Sequence, residues 1–64
     1  MKWIKLALED AGIVTISLLP HGIVASMNWH GLAETISGQP TMTIEDALES
    51  LNDALEDNAG EEQP

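Results

Sequence analysis

The absence of cysteine from this 64-residue chain most limits how it can fold. Without cysteine there is neither a disulfide framework nor a Cys-ligated zinc site. Ordering such a chain costs roughly 1.5 kcal/mol per residue, about 90 kcal/mol in total, which apolar burial must mostly offset. Hydrophobic residues make up 44% of the chain, but Trp3 and Trp29 are the only aromatic ones. We therefore expect a small aliphatic core. Because domains of this size are marginally stable, we also expect a homodimer or a tight hetero-complex to supply part of the buried area.

The charge of the chain is strongly negative and unevenly placed. The formal net charge is −9, and residues 43–64 contain eight of the eleven carboxylates but no Lys or Arg. Phosphate backbones and anionic lipids are bound by basic side chains, so direct binding to nucleic acid or to a membrane surface is disfavoured. Glu9 and Asp10 interrupt a signal-peptide-like start, and no apolar run approaches the ~20 residues that span a bilayer. These features predict a cytoplasmic protein.

Hydrophobic alternation predicts β-strands in the first part of the chain. Residues 2–8 and 23–29 alternate between apolar and other side chains, whereas residues 13–19 are rich in β-branched residues and apolar on both faces at their ends. Turn-forming residues at 9–12 and 20–22 separate these segments, and a weaker fourth strand is expected around residues 32–36. The pattern predicts an antiparallel meander whose central strand is 13–19.

An amphipathic helix is predicted in the acidic last third. Thr43 is a suitable N-cap, and Asp46 three residues later completes a variant of the capping box. Asn58 and Gly60 are expected to end the helix. Its apolar stripe consists of Ile44, Ala47, Leu48, Leu51, Ala54 and Leu55.

Together these elements predict an α+β fold. A three- to four-stranded antiparallel sheet carries one C-terminal amphipathic helix packed on one face. The helix and a seven-residue strand are similar in length, at about 21 and 23 Å, so the helix can lie along the sheet. Residues 1–58 form a single domain, and residues 59–64 are expected to be a disordered acidic tail.

Residues suited to catalysis or metal binding are few. The chain has no nucleophile elbow, phosphate-binding loop or paired metal motif, and a domain of this size hardly encloses a catalytic pocket. We therefore expect no enzymatic activity, no cofactor and no metal. A metal site formed by His21, His30 and Glu34 is a much weaker alternative, since these residues are more simply a turn and a polar strand end.

A line of carboxylates on the predicted helix is the main candidate binding feature. Helical geometry places successive members about 6 Å apart, which approximates the separation of phosphates along a nucleic-acid strand. The line could therefore mimic nucleic acid toward a basic protein, or it could simply keep a small protein soluble. We call it the acidic ridge, and it consists of Glu45, Glu49, Asp53 and Glu56.

The two tryptophans are also open to two interpretations. Trp3 and Trp29 are either ordinary aromatic residues of the core or sheet, or one of them anchors a partner, because tryptophan is enriched at interface hot spots. A sheet covered by a helix on one face leaves its other face bare, which favours a second subunit or a target.

The strand-to-helix junction at residues 41–55 resembles that of the HicB-like antitoxins. The similarity lies in the helix opening Thr43-Ile44-Glu45-Asp46-Ala47-Leu48, in the acidic helix that follows, and in the predicted β-β-β-α order. The resemblance implies a truncated RNase-H-like domain that binds and blocks a small basic RNase toxin, usually as an oligomer. The aromatic Pro-Gly segment of that family's sheet is missing, and so is its DNA-binding domain.

These observations predict a non-enzymatic acidic inhibitor or interaction protein. It would bind and occlude a basic partner, such as a nuclease, a toxin or an effector subunit, in the manner of an antitoxin or a phage anti-defence (anti-CRISPR or anti-restriction) protein. The alternative is a homo-oligomeric structural or assembly accessory protein with no inhibitory role.

Overall fold

A computed structural model describes residues 2–30, 32 and 34–61 and shows an α+β fold. The three strands form one antiparallel sheet in the order β1-β2-β3, and the C-terminal helix packs on it, as the fold-class prediction requires. Neither helix is long and apolar enough to cross a membrane, over the residues described. The elements are α1 (Lys2–Glu9), β1 (Ile13–Leu19), β2 (Gly22–Asn28), β3 (Ile36–Ser37) and α2 (Ile44–Glu61).

The N-terminal segment corrects one prediction, because residues 2–8 form a helix and not a strand. Ile4 and Ala7, three residues apart, are buried on one side of α1, whereas Leu6 and Leu8 are exposed. A window of seven residues fits a period of two and a period of 3.6 about equally well. Here Leu, Ala, Lys and Glu, which are all good helix formers, favour the helix.

The start of α1 is held by a side chain from the other helix. Asn52 Oδ1 in α2 accepts hydrogen bonds from the backbone N–H groups of Trp3, at 2.8 Å, and of Ile4, at 3.3 Å. The first N–H groups of any helix lack partners within the helix and need an acceptor. Asn52 therefore caps α1 across the fold, and α1 acquires this cap only when it is packed against α2.

We expect Asn52→Ala to lower the free energy of unfolding by about 1 kcal/mol, the usual loss when a cap is removed. Asn58→Ala is the matched control, since Asn58 lies in the same helix and makes no side-chain hydrogen bond within the described residues. Urea titrations of both variants measure the difference. Equal stabilities of the two variants would show that Asn52 does not hold α1.

The end of α1 is a tight reversal. The Gly12 N–H donates to the Ala7 carbonyl at 2.6 Å, and Ala11 between them has a left-handed backbone with φ of 63°. This is the geometry of a Schellman-type helix end, in which glycine normally occupies the left-handed position. A Cβ on Gly12 would lie 2.6 Å from the Ala7 oxygen, so the glycine here is required by close backbone approach.

Two substitutions at this reversal should therefore have opposite effects. We expect Ala11→Gly to raise the free energy of unfolding by about 0.5 kcal/mol, because relief of left-handed strain outweighs the added unfolded-state entropy. Gly12→Ala should lower it by more than about 1 kcal/mol through the clash with Ala7. Thermal and urea unfolding measure both changes, and destabilisation by Ala11→Gly would contradict the assigned backbone.

The hairpin of β1 and β2 is the main part of the sheet. Its strands pair without interruption from Ile13 opposite Asn28 to Leu19 opposite Gly22. Gly22 follows the turn with φ of 147°, and a Cβ there would meet Pro40 Cβ at 2.9 Å. The predicted strand 13–19 and the turn that follows it are confirmed. The predicted strand 23–29 is confirmed except that it begins one residue earlier and ends before Trp29.

The third strand lies where the weak fourth strand was predicted, but it is shorter. Only Ile36 and Ser37 pair with β2, opposite Met27 and Ser26. Residues 31 and 33, one of them within the predicted strand 32–36, lie outside the described residues. Because residues 2–8 are helical, this short strand completes the three-stranded sheet. β1 is therefore an edge strand and not the central one.

The core lies between the sheet and the two helices. The Gly38 backbone passes so close to α2 that a Cβ would lie 2.7 Å from the Leu51 nitrogen, which brings β3 directly against the helix. Among the described residues, the buried core consists of Ile4, Ala7, Ala25, Met27, Ala47, Leu51 and Leu55.

Helix α2 begins as predicted and ends later. The Asp46 N–H donates to Thr43 Oγ1 at 3.1 Å, which confirms the N-cap. The helix continues through Asn58 and Gly60 to Glu61, because one glycine costs a helix only about 1 kcal/mol and no proline occurs before Pro64. Residues 62–64 of the expected tail lie outside the described residues.

Candidate partner-binding surface

The acidic ridge lies on the solvent side of α2. Ala47, Leu51 and Leu55 are buried against the sheet, and helical geometry places the ridge on the opposite side of the helix. Its four carboxylates, together with Asp46 and Asp57 beside them, are all exposed. The structure therefore gathers Glu45, Glu49, Asp53 and Glu56 on one exposed surface about 16 Å long, from the rise of eleven helical residues.

The charge of this surface is not neutralised by ion pairs. Within the described part of the chain, the one salt-bridge contact joins His30 and Asp10, and no carboxylate of α2 takes part in one. Lys2 and Lys5 both lie on α1, and the Lys2 ammonium lies 5.3 Å from the centre of the Trp3 ring. Like charges four residues apart each destabilise a helix by about 0.2–0.5 kcal/mol. The ridge therefore opposes the stability of α2.

A polar cleft adjoins the ridge. It has a volume of about 240 Å³ and lies between α2 and the segment around β3. Ser50 Oγ at its edge accepts a hydrogen bond from the Gln39 N–H at 2.7 Å, which ties the two sides together. A basic side chain that approaches Asp53 from solvent would therefore also meet this segment. The cleft is lined by Ser37, Gly38, Gln39, Ser50, Asp53, Ala54 and Asp57.

The two tryptophans occupy different places, and both contribute to the fold. Trp3 is half-buried against the core from α1, where its backbone N–H is held by Asn52. Trp29 is half-buried just after β2, and its indole Nε1 donates to Asp10 Oδ2 at 3.2 Å. Both rings thus pack on the core as ordinary aromatic residues do, and each keeps part of its surface open to solvent.

Asp10, Trp29 and His30 form a small cluster that sequence reasoning missed. His30 Nε2 lies 2.8 Å from Asp10 Oδ2, and the rings of His30 and Trp29 meet edge to face at 6.0 Å. Asp10 directly follows α1, so the cluster ties the turn before β1 to the end of β2. Asp10 is separated from Trp29 by 19 positions and from His30 by 20 positions. No local sequence pattern links residues so far apart, so the sequence offered no signal for the cluster.

The chemistry of this cluster is that of an exposed structural contact. The side chains of His30 and Asp10 are 70% and 61% exposed, in no enclosed pocket. No group of three His, Asp or Glu side chains that could hold a metal occurs among the described residues, and His21 and Glu34 are both exposed. The cluster lowers the pKa of Asp10 below its ordinary value of 3.8. The hydrogen bond with His30 is the main cause, and the hydrogen bond from Trp29 is the second.

The lowered pKa of Asp10 predicts an acid-dependent loss of stability. Since the folded pKa lies below the unfolded one, the contribution is complete above the unfolded value and is lost as the pH falls through the folded value. We expect the stability difference between the wild type and Asp10→Ala to be constant above about pH 5 and to shrink below pH 3.8.

Urea titrations between pH 2 and pH 7 measure this difference. Glu34→Ala is the matched control, because it removes an exposed carboxylate that makes no hydrogen bond within the described residues. A difference between wild type and Asp10→Ala that persists unchanged at pH 2 would mean that the charge of Asp10 does not stabilise the fold.

The chain was compared with protein-family models, with curated proteins and with solved structures. No match was found in any of the three comparisons.

Proposed function

We propose that this protein is a non-enzymatic inhibitor that binds a basic nucleic-acid-binding protein or nuclease through the acidic ridge. The observation that carries the proposal is the exposed line of carboxylates on α2, which lacks ion-pair partners within the described residues. Repulsion between these carboxylates lowers the stability of α2, and no ion pair within the described residues compensates for it. This favours a role for the carboxylates in binding another molecule.

The ridge fits a groove that normally holds nucleic acid. Its carboxylates repeat at about 6 Å along the helix, roughly as phosphates repeat along one strand. Such a groove is lined by Lys and Arg, which would pair with the ridge in place of phosphate. Inhibition would be steric and electrostatic: α2 occupies the groove and keeps nucleic acid out. Complementary charge would also speed association and make it sensitive to salt.

The class of inhibitor follows from the partner. If the partner is a small RNase toxin, the protein would be an antitoxin, as the HicB-like resemblance of residues 41–55 suggests. If the partner is a defence nuclease, the protein would be a phage anti-defence protein of the anti-CRISPR or anti-restriction kind. Both roles are exercised in the cytoplasm, and neither requires a cofactor or direct contact with nucleic acid. Trp3 or Trp29 would supply an apolar anchor in addition to the charged contacts.

Charge reversal on the ridge should abolish capture of the partner. We expect Glu49→Lys/Asp53→Lys to lose a nuclease or nucleic-acid-binding protein that the tagged wild type retains from cell extract at low salt. Both residues lie in the middle of α2, so the change leaves the helix start and its favourable acidic residues intact. Affinity capture with mass spectrometry measures retention, and high salt should release the partner from the wild type.

The matched control is Glu9→Lys/Glu34→Lys, which makes the same change in net charge at exposed positions outside α2. It should retain the partner as the wild type does. The purified partner should then lose nuclease or nucleic-acid-binding activity when the wild type is added. Equal retention by both variants, or capture without inhibition, would contradict the proposal.

Exposed apolar side chains favour a second candidate, a homo-oligomeric structural or assembly protein. Ile13, Leu18 and Leu19 on β1 and Met42 before α2 are all exposed, and Leu18 is 75% exposed although it lies on the core side of the sheet. In that case the acidic ridge would serve only solubility. A salt-stable oligomer that captures no foreign partner would favour this role over inhibition.

A further inference from the structure

The outer edge of β1 is unpaired. β1 bonds to β2 along its full length on one side, and no strand in the described part of the chain pairs with its other side. Helix α1 packs chiefly against α2 and contacts β1 only slightly. A free edge presents a row of backbone N–H and C=O groups that can bond to another strand.

This edge lacks the devices that usually prevent such pairing. Soluble proteins protect edge strands with charged residues, proline, bulges or short length. The seven residues of β1 include no charged residue and no proline, and the unbroken register with β2 leaves no bulge. Ile13 and Leu18 are 62% and 75% exposed along it. An edge of this kind is expected to be covered in the functional protein.

The sequence of β1 is complementary to itself. In an antiparallel pair, residues opposite each other lie on the same face of the sheet. If two copies of β1 are centred on Ile16, every apolar residue meets an apolar one, and the two hydroxyl residues meet each other. The opposed residues are Ile13 with Leu19, Val14 with Leu18, Thr15 with Ser17, and Ile16 with Ile16 of the second copy.

The hydroxyl residues would continue a row that the sheet already contains. On the outer face, the hydroxyls of Ser37 and Ser26 lie 2.9 Å apart, and Thr15 is the neighbour of Ser26 on the other side. Pairing in the register above places Ser17 of a second copy next to Thr15. On the opposite face, Val14 of the second copy would cover the exposed Leu18.

The distribution of charge also favours a second copy at this edge. Two chains of net charge −9 repel each other, so their association is opposed least where most of the carboxylates are distant. α2 packs mainly on β2 and β3 and makes few contacts or none with β1. Pairing through β1 therefore keeps the two acidic helices apart and leaves both ridges open. A basic partner would find no opposite charge to pair with in β1, which has no charged residue.

We propose that the protein forms a two-fold symmetric dimer by antiparallel pairing of β1 with β1 of a second copy, centred on Ile16. The result is one continuous six-stranded sheet. Pairing along a single seven-residue strand falls at the small end of specific interfaces, below about 1,200 Å² in total. The dimer should accordingly dissociate in the micromolar range and strengthen with salt. The proposal does not depend on the function of the acidic ridge.

Sedimentation velocity over a concentration series tests the dimer and its register. We expect the wild type to dimerise. The variant Thr15→Lys/Ser17→Glu should also dimerise, because each introduced lysine then faces an introduced glutamate of the second copy. Thr15→Lys/Ser17→Lys should dimerise at least tenfold more weakly, because like charges then face each other. That variant carries less net negative charge than the wild type, so weaker dimerisation cannot come from general repulsion. A wild type that stays monomeric, or equal dimerisation of both variants, would overturn the proposal.

A cysteine pair gives a second readout that needs no charge change. The natural chain has no cysteine, so only introduced thiols can form disulfides. An equimolar mixture of Thr15→Cys and Ser17→Cys chains should oxidise to a mixed dimer faster than either variant oxidises alone, since directly opposed residues lie within disulfide distance and diagonal ones do not. Circular dichroism confirms that each variant is folded. Equal rates in all three samples would overturn the register.

Discussion

The packing of one stripe of α2 on β2 supports the rest of the structure. Ala47, Leu51 and Leu55 lie against Ala25 and Met27, and these residues make up most of the buried core. Small side chains on both elements let the helix approach the sheet closely. In a core this small, each buried side chain contributes a large part of the total stability. Shortening Leu51 to alanine would lower the free energy of unfolding by about 2–5 kcal/mol, a large share of the stability of any small domain.

Single polar groups reinforce the attachment of the other elements to this contact. Asn52 caps α1, Ser50 holds the segment after β3, and Thr43 begins α2 itself. Asn52 and Ser50 both belong to α2, so loss of α2 packing would remove the polar contacts to α1 and to the segment after β3 together. The remaining attachment, the Asp10 cluster, joins the end of α1 to the hairpin from the other side. The opposite face of the same helix carries the acidic ridge, so one element both builds the fold and presents the charge.

The predictable parts of the fold are those that depend on local signals. The apolar stripe of α2 repeats over several turns and follows a recognisable cap at Thr43. The turn of the β1–β2 hairpin is marked by Pro20 and Gly22. α1 was predicted as a strand because seven residues fit either period, and its deciding contact, Asn52, lies 48 residues away from Ile4. The Asp10 cluster and the close approach at Gly38 are likewise tertiary and have no sequence signature. The ridge residues were predicted on one helix face and lie there, whereas the tryptophans pack on the core.

In this account, α2 has a structural face that packs on the sheet and an acidic face that is free for a partner. The most direct test is to measure the stability of a variant in which part of the acidic ridge is neutralised. Glu49→Gln/Asp53→Asn/Glu56→Gln removes three charges from exposed positions and leaves Glu45 at the helix start. Urea unfolding at low ionic strength should show equal or greater stability, by up to about 1 kcal/mol, because repulsion within the helix is relieved. A clear loss of stability would mean that the carboxylates serve the fold and are not free for a partner.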